Sequence, residues 1–212
     1  MTAEIGARVE RVLAALCAEA APAAREALVT WMALVEDYNR RIDLTAARDT
    51  DALCDLLLAD AAWLAPRLPR EVSVVDVGTG AGAPGMAVAL LRADVTVTLV
   101  EPLQKRVATL RAAIGRVLPI LGAGARAPLL RRERGEDLVK RAETFDVALS
   151  RATLPPPEWL ALGATLAPRG SVWVLLAEAE APALVGWSVA EDETYRWPLT
   201  DRVRRAVRYV PV

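Results

Sequence analysis

The 212-residue sequence contains no histidine and only two cysteines, Cys17 and Cys54. Without histidine, the chain cannot use an imidazole as a general acid, a general base or a metal ligand. The two cysteines lie far apart within helical patterns, and no redox or metal-binding motif surrounds them. We therefore expect both to be small buried apolar residues with no chemical role.

The sequence also lacks long apolar runs and a strong net charge. No stretch of about eighteen apolar residues occurs, and residues 1–8 show no basic-then-apolar signal pattern. We expect a cytoplasmic monomer that binds neither a membrane nor a metal. The formal charge of −1 argues against binding nucleic acid through the overall field. Arginines do cluster at 126–141 and 196–208, where they form either phosphate-binding forks or solvated faces.

What the sequence does contain is a glycine-rich turn after a buried strand. Residues 74–85 read Val-Val-Asp-Val-Gly-Thr-Gly-Ala-Gly-Ala-Pro-Gly, and an apolar segment follows. Gly78, Gly80 and Gly82 can adopt positive φ and carry no Cβ, so backbone N–H groups can approach a bound molecule closely. The pattern predicts a nucleotide-cofactor site.

Two acidic residues bear on which cofactor this is. Gly78-x-Gly80-x-x-Ala83 also fits the dinucleotide fingerprint, which leaves a nicotinamide-dependent oxidoreductase open. Asp76 precedes the first glycine, where its carboxylate can fix the loop or receive an ammonium group. Glu101 ends the next apolar run, where an acid can accept both ribose hydroxyls. Together these features resemble the S-adenosylmethionine site of Rossmann-like methyltransferases.

The order of the predicted elements indicates an α/β fold with a helical cap. Residues 1–70 carry helical stripes, and strands and helices alternate from Val72 onward. We expect a Rossmann-like class I methyltransferase fold with a mostly parallel seven-stranded sheet and an antiparallel C-terminal strand. The last two strands are predicted near 185–189 and 203–210. The domains are predicted as a cap at 1–70 and a cofactor-binding domain at 71–212.

Several short segments, in the right order, resemble the GidB family of bacterial small-subunit ribosomal RNA guanine-N7 methyltransferases. The matching segments are Trp31 with 38–49, the loop 76–85, the basic segment 105–111, Gly135-Glu136-Asp137, and 145–152 with Ser150-Arg151-Ala152. The resemblance implies S-adenosylmethionine as cofactor and ribosomal RNA or the small ribosomal subunit as partner.

The resemblance also implies roles for individual residues. It implies that Gly78 and its neighbours hold the methionine end of the cofactor with Ala83 beside it, that Gly135 and Glu136 flank the adenine, and that Arg151 lies at the mouth. The cofactor residues are thus Asp76, Gly78, Gly80, Gly82, Ala83, Glu101, Gly135, Glu136 and Arg151, and the substrate candidates are Asn39, Arg106, Ser150 and Arg151. Glu136 can instead be a helix-start acid, and Arg151 a surface ion pair.

The sequence departs from the family pattern at four places. Leu56-Leu57 stands where the family usually carries Arg-His, Leu176-Ala177-Glu178 where Lys-Gly follows the fifth strand, Asp43 where an asparagine precedes Leu-Thr, and Ala83 where the loop has a bulky apolar residue. These changes remove positive charge from surfaces that would face RNA. Two further hypotheses about function therefore stay open. The chain could be a relative that methylates a small molecule or another macromolecule, or a non-catalytic binding protein.

Overall fold

The protein forms one seven-stranded sheet with helices on both faces. The structure, a computed structural model, describes residues 2–177 and 179–212, and Glu178 of the segment compared above lies outside them. The spatial strand order is β3-β2-β1-β4-β5-β7-β6. The strands are β1 (Ser73–Val77), β2 (Thr96–Val100), β3 (Leu129–Arg131), β4 (Val147–Arg151), β5 (Ser171–Leu176), β6 (Trp187–Arg196) and β7 (Val203–Pro211). Strands β1 to β5 pair in parallel, whereas β7 pairs antiparallel with both β5 and β6.

The helices divide into an N-terminal group and a group that alternates with the strands. The first group is α1 (Thr2–Ala15), α2 (Pro22–Ile42), α3 (Thr50–Cys54), a π-helical turn (Asp55–Ala59), α4 (Asp60–Leu64) and a 3₁₀ turn (Ala65–Arg67). The second is α5 (Gly85–Leu91), α6 (Gln104–Leu121), α7 (Gly135–Lys140) and α8 (Pro156–Leu166).

The N-terminal helices share a core with one face of the sheet. Trp31 of α2 is fully buried in that core, together with Leu99 of β2 and Trp173 of β5. The Trp63 ring stacks on Tyr195 with 4.7 Å between centroids. This contact joins α4 to the hairpin of β6 and β7, called the C-terminal hairpin below. A second core fills the opposite face around Trp159 of α8 and Tyr209 of β7. The carboxyl ends of β1, β2 and β4 are thus held between two packed layers.

This architecture confirms the predicted fold class, including the antiparallel close of the sheet. The prediction for the sixth strand was wrong in its limits, because β6 runs from Trp187 to Arg196 instead of ending near Val189. The strand lies at the sheet edge and most of its side chains are exposed, so it lacks the apolar alternation that marks a half-buried strand.

One other expectation was wrong. Cys54 is buried as predicted, but Cys17 is exposed. Cys17 follows the end of α1 and has φ of +51°, which turns its side chain off the helical stripe that buries Val9 and Val12. The division of the chain at residues 70 and 71 remains a prediction. Within the described residues, no helix is long and apolar enough to cross a membrane.

Candidate active site

Asp76 holds the glycine loop from inside. Its carboxylate is fully buried, and Oδ2 accepts hydrogen bonds from Thr79 Oγ1 at 2.6 Å and from the Gly85 backbone N–H at 2.8 Å. Oδ1 is buried with no partner among the described residues. Burial raises the Asp76 pKa to about 6, against the smaller opposing effect of the two hydrogen bonds. Of the two roles open to Asp76, the contacts support fixing the loop.

The loop between β1 and α5 depends on glycine at its closest approaches. Gly78 and Gly80 have φ of +71° and +62°, which is the left-handed region that side chains disfavour. A Cβ at Gly78 would lie 2.1 Å from Thr153 Oγ1. The Thr153 hydroxyl donates to the Val77 carbonyl oxygen at 3.1 Å, so the segment after β4 covers the loop directly.

Glu101 connects the loop to the end of β2. Its Oε2 accepts the Gly80 backbone N–H at 3.0 Å, and its Oε1 accepts the Leu103 backbone N–H at 2.9 Å. Arg106 of α6 lies 3.7 Å from Oε2. The carboxylate is nearly buried but still lines the cleft described next. Each oxygen has accepted one backbone hydrogen bond, which leaves lone pairs for a ligand hydroxyl.

A cleft of about 590 Å³ lies at the carboxyl edge of the sheet. Its walls are the glycine loop, the end of β2, the segment after β4, residues 44–46 and Leu56. A smaller cavity of about 150 Å³, lined mainly by apolar side chains, adjoins it around Gly135. Gly78, Pro102 and Thr153 line both spaces. The two spaces therefore form one elongated site at the switch point of the sheet, where open α/β sheets bind ligands.

Arg151 ends β4 and reaches across the cleft to the N-terminal helices. Its Nη1 donates to Asp60 Oδ2 at 2.8 Å and to the Leu56 carbonyl oxygen at 2.6 Å. Asp60 is 1% exposed, and its Oδ1 accepts hydrogen bonds from Tyr195 Oη at 2.7 Å and Trp197 Nε1 at 2.6 Å. The Arg151 ion pair is therefore buried at the Asp60 end, and the guanidinium still lines the cleft.

The π-helical turn lets two acids face the C-terminal hairpin. Asp55 and Asp60 are five residues apart, which in an α-helix sets side chains about 140° apart. A π turn hydrogen-bonds residues i and i+5, so it brings them onto one side. Asp55 accepts the Thr200 backbone N–H at 2.8 Å and the Thr200 hydroxyl at 2.7 Å, while burial raises the Asp55 pKa. Both acids thereby anchor the turn between β6 and β7.

The structure brings most of the predicted site residues together. Gly78, Gly80, Ala83, Glu101, Arg106 and Arg151 line the main cleft, and Gly135 and Glu136 line the smaller cavity. Asp76 and Gly82 lie behind the loop instead of on the cleft surface. A Cβ at Gly82 would meet Trp31, Met86 and Leu110 at 3.0 Å, so this glycine serves packing.

Two substrate candidates lie away from the main cleft. Asn39 accepts the Thr45 backbone N–H at 2.7 Å and donates to the Ala47 carbonyl oxygen, so it shapes the segment after α2. Ser150 donates to the Val77 carbonyl oxygen at 2.7 Å and borders another cavity, of about 250 Å³, beside Trp159. Ala152 lines both that cavity and the main cleft.

Sequence reasoning missed two residues that organise the site, Thr153 and Asp60, and it noted Arg204 only as one of the arginines clustered at 196–208. Asp60 carried a usable signal, since a lone acid within Leu56-Leu57-Leu58-Ala59-Asp60-Ala61-Ala62 is either paired or costly when buried. Thr153 carried none, because its role depends on a contact between distant segments, and the contact of Arg204 with Trp197 could not be predicted from the arginine pattern. The described residues contain no group of three or more metal-ligating side chains.

Solved structures share the architecture of this chain. A Pyrococcus horikoshii protein described as an RNA methyltransferase is 16% identical with a TM-score of 0.53, and the match covers 97% of this chain and 99% of that protein. A Haemophilus influenzae methylase is 15% identical with a TM-score of 0.52, over 71% of this chain and 84% of that one. At these identities the likeness shows the fold alone.

Similarity in sequence shows the family. The ribosomal RNA small subunit methyltransferase G of an Anaeromyxobacter species is 29% identical, and the match covers 96% of both chains. That of Clostridium beijerinckii is 37% identical over 60% of this chain and 53% of its own length. Residues 24–182 match the GidB family model, described as rRNA small subunit methyltransferase G. The chain therefore belongs to the GidB family of methyltransferases.

Proposed function

We propose that this chain transfers the methyl group of S-adenosylmethionine to N7 of a guanine in the 16S RNA of the small ribosomal subunit, acting in the cytoplasm as a monomer. The observation that carries the cofactor half is the pair of adjoining cavities, the smaller one at Gly135 and the larger one lined by Glu101 and Arg151. The family membership supports the substrate half, since the family is described as acting on small-subunit ribosomal RNA.

The small cavity fits the adenine end of the cofactor. Val77, Val100 and Leu162 give it apolar walls, and Gly135 lets α7 begin close to β1. A Cβ at Gly135 would lie 2.8 Å from Val77 Cγ1. Glu101 lies where the main cleft begins, and its remaining lone pairs suit the two ribose hydroxyls. Glu136, in the first turn of α7, is exposed at the cavity rim.

The main cleft fits the methionine end. Gly78 and Gly80 leave the loop backbone open to a ligand, and Ala83 adds a small side chain beside it. The guanidinium groups of Arg106 and Arg151 line the same cleft and suit a carboxylate. When bound, the cofactor supplies a methyl group on positively charged sulfur.

The chemistry of guanine N7 matches the side chains of the cleft. N7 presents a lone pair and no proton, so its methylation requires alignment and no general base. Glu101, Arg106 and Arg151 are the ionisable residues lining the described cleft, and both Glu101 oxygens already accept backbone N–H groups. Holding the two reacting atoms in line can supply most of the rate enhancement.

The cavity beside Trp159 supports an entry route for the acceptor. It shares Ala152 with the cofactor cleft, so a base in this cavity would lie next to the methionine end. Its lining is mostly apolar, with Ser150 at one edge, which suits a flat ring. The main-cleft wall at Leu56 lacks the positive charge that the family usually places there, which is the observation that favours the small-molecule alternative.

The decisive experiment follows a labelled methyl group from S-adenosylmethionine. Incubation with 30S subunits and with naked 16S RNA should give label that digests to 7-methylguanosine. Label in another nucleoside would contradict the N7 assignment. Tight cofactor binding with no label in either RNA would instead favour the small-molecule relative, if a panel of small acceptors is labelled, or the non-catalytic protein, if none is.

A substitution at Gly78 tests the cofactor site itself. Gly78→Val should abolish the micromolar binding of S-adenosylhomocysteine that we expect, because the new side chain meets Thr153 and fills the loop. Gly124→Val is the matched control, since Gly124 also has positive φ, +93°, but a Cβ there meets no atom within 4 Å. Titration calorimetry measures both. Equal affinity of the Gly78 variant and the control would refute the site assignment.

A further inference from the structure

Three arginines lie together where the C-terminal hairpin meets the cleft. Arg151 and Arg204 share one aromatic partner: the Arg204 guanidinium carbon lies 3.9 Å from the centre of the Trp197 ring, and that of Arg151 lies 5.9 Å from it. Arg202 is exposed in the turn that precedes β7, and its backbone carbonyl oxygen accepts the Trp197 backbone N–H at 2.9 Å. We call Arg151, Arg202 and Arg204 the arginine cluster.

The arginine cluster carries more positive charge than the described residues around it neutralise. Among the described residues, Asp60 is the carboxylate that reaches the cluster, and its two oxygens already accept hydrogen bonds from Arg151, Tyr195 and Trp197. Among the described residues, Arg202 and Arg204 have no ion-pair partner within 4 Å. Arg204 is half-buried, and burial together with the charges of Arg151 and Arg202 lowers its pKa.

Neighbouring arginines of the same hairpin are paired, which sets the cluster apart. Arg205 makes two hydrogen bonds with Asp192, both at 2.7 Å, and Arg208 pairs with Glu191. Arg204 and Arg205 are consecutive residues of β7, so their side chains point to opposite faces of the strand. The face that carries Arg204 is the face of Trp197 and Asp60, beside the cleft.

We propose that Arg202 and Arg204 of the arginine cluster, next to Arg151 at the cleft wall, bind backbone phosphate of the RNA strand whose base enters the cleft. This inference rests on the proposed function, since it assumes an RNA substrate. Guanidinium groups present planar N–H forks that match phosphate oxygens. The Arg204 guanidinium stacks on the Trp197 ring, which limits its orientation. The ion pair with Asp60 fixes the position of the Arg151 guanidinium. A phosphate group would neutralise the excess positive charge of the arginine cluster.

The test compares Arg204→Gln with Arg205→Gln in binding to 16S RNA, with S-adenosylhomocysteine present, between 50 and about 200 mM salt. Both variants lose one positive charge from adjacent residues, but Arg204→Gln removes it beside the cleft, whereas Arg205→Gln removes the partner of Asp192 on the opposite face. Arg204→Gln should weaken RNA binding about tenfold, as for one lost charge-assisted hydrogen bond. It should also reduce the salt slope by about 0.7, the value for one single-strand phosphate contact. Arg205→Gln should change neither.

Arg202→Gln is the second variant, because an exposed side chain in a turn can be replaced without loss of packing. This variant should also lower the salt slope of RNA binding. Equal behaviour of the Arg204 and Arg205 variants would overturn the inference. So would weaker S-adenosylhomocysteine binding by Arg204→Gln with RNA binding intact, since the anion would then be the cofactor carboxylate. If the wild-type chain binds cofactor but no RNA, the RNA half of the proposed function fails and the inference with it.

Discussion

Two buried carboxylates, Asp76 and Asp60, hold the two sides of the cleft in opposite ways. Asp76 accepts hydrogen bonds from Thr79 and Gly85, which lie within nine residues of it, and leaves Oδ1 without a partner. Asp60 pairs with Arg151 and accepts hydrogen bonds from Tyr195 and Trp197, residues that lie 91, 135 and 137 positions further along the chain.

Asp76 stabilises one loop, whereas Asp60 connects distant parts of the chain. Asp76 carries a charge with no cation in contact, so its burial is costly and its pKa rises to about 6. The buried Asp76 carboxylate maintains the shape of one short loop, because Thr79 and Gly85 both donate hydrogen bonds to it. Asp60 has a guanidinium partner and joins α4, β4 and the C-terminal hairpin, so its loss would affect the whole cleft wall.

The largest effect is expected from breaking the Asp60 ion pair. Asp60→Asn leaves Arg151 without its counter-ion in a mostly buried position, which should lower the free energy of unfolding by about 4 kcal/mol. Urea denaturation at neutral pH measures this. Asp201→Asn is the control, because its pair with Arg196 is exposed and should contribute less than about 1 kcal/mol. A similar small loss for both variants would mean that Asp60 does not hold the cleft wall.

Asp76 should instead make stability depend on pH. Its folded pKa, about 6, lies above the unfolded value of 3.8, so the folded state keeps a proton that the unfolded chain has released. Stability should therefore fall as pH rises from about 4 to about 6, and the full penalty, about 3 kcal/mol, should remain above that window.

Asp76→Asn isolates this effect, because other carboxylates titrate alike in both proteins. The difference in unfolding free energy between the wild type and Asp76→Asn should shift by about 2 kcal/mol between pH 4 and pH 7, with the wild type relatively weaker at pH 7, because part of the penalty is already present at pH 4. Urea melts across this range measure it. A difference that stays flat with pH would show that the buried carboxyl is not destabilised.

The contrast between the two acids also explains what the sequence could predict. The glycine loop was recognisable because its geometry depends on residues 76–85 and on Glu101 at the end of the next strand, all at spacings fixed by one strand-helix-strand unit. The parallel order of β1 to β5 followed from the alternation of strands and helices. Local pattern therefore sufficed for the fold and for the glycine-loop wall of the cleft.

The other wall could not be predicted, because it is built by long-range contacts. Arg151 was placed at the mouth by resemblance, but its partner on α4 comes from a helix whose register changes through a π turn. A helical stripe drawn at 3.6 residues per turn cannot put Asp55 and Asp60 on one side. Trp197 and Arg204 lie on either side of a hairpin turn, and their stacking follows only from the pairing of β6 with β7.

The smallest effects should come from removing one hydroxyl donor at each acid, which compares the two directly. Thr79→Val takes away one of two donors to Asp76 and should cost about 2 kcal/mol at pH 7 while raising the Asp76 pKa further. Tyr195→Phe takes away one of three donors to Asp60 and should lower the free energy of unfolding by about 1 kcal/mol. The loss is smaller because Arg151 still neutralises that carboxylate and Trp197 still donates a hydrogen bond to it. Both changes keep the shape of the side chain, so packing is nearly constant. A larger loss for Tyr195→Phe than for Thr79→Val would reverse the comparison, since it would make Asp60 the less well supported charge.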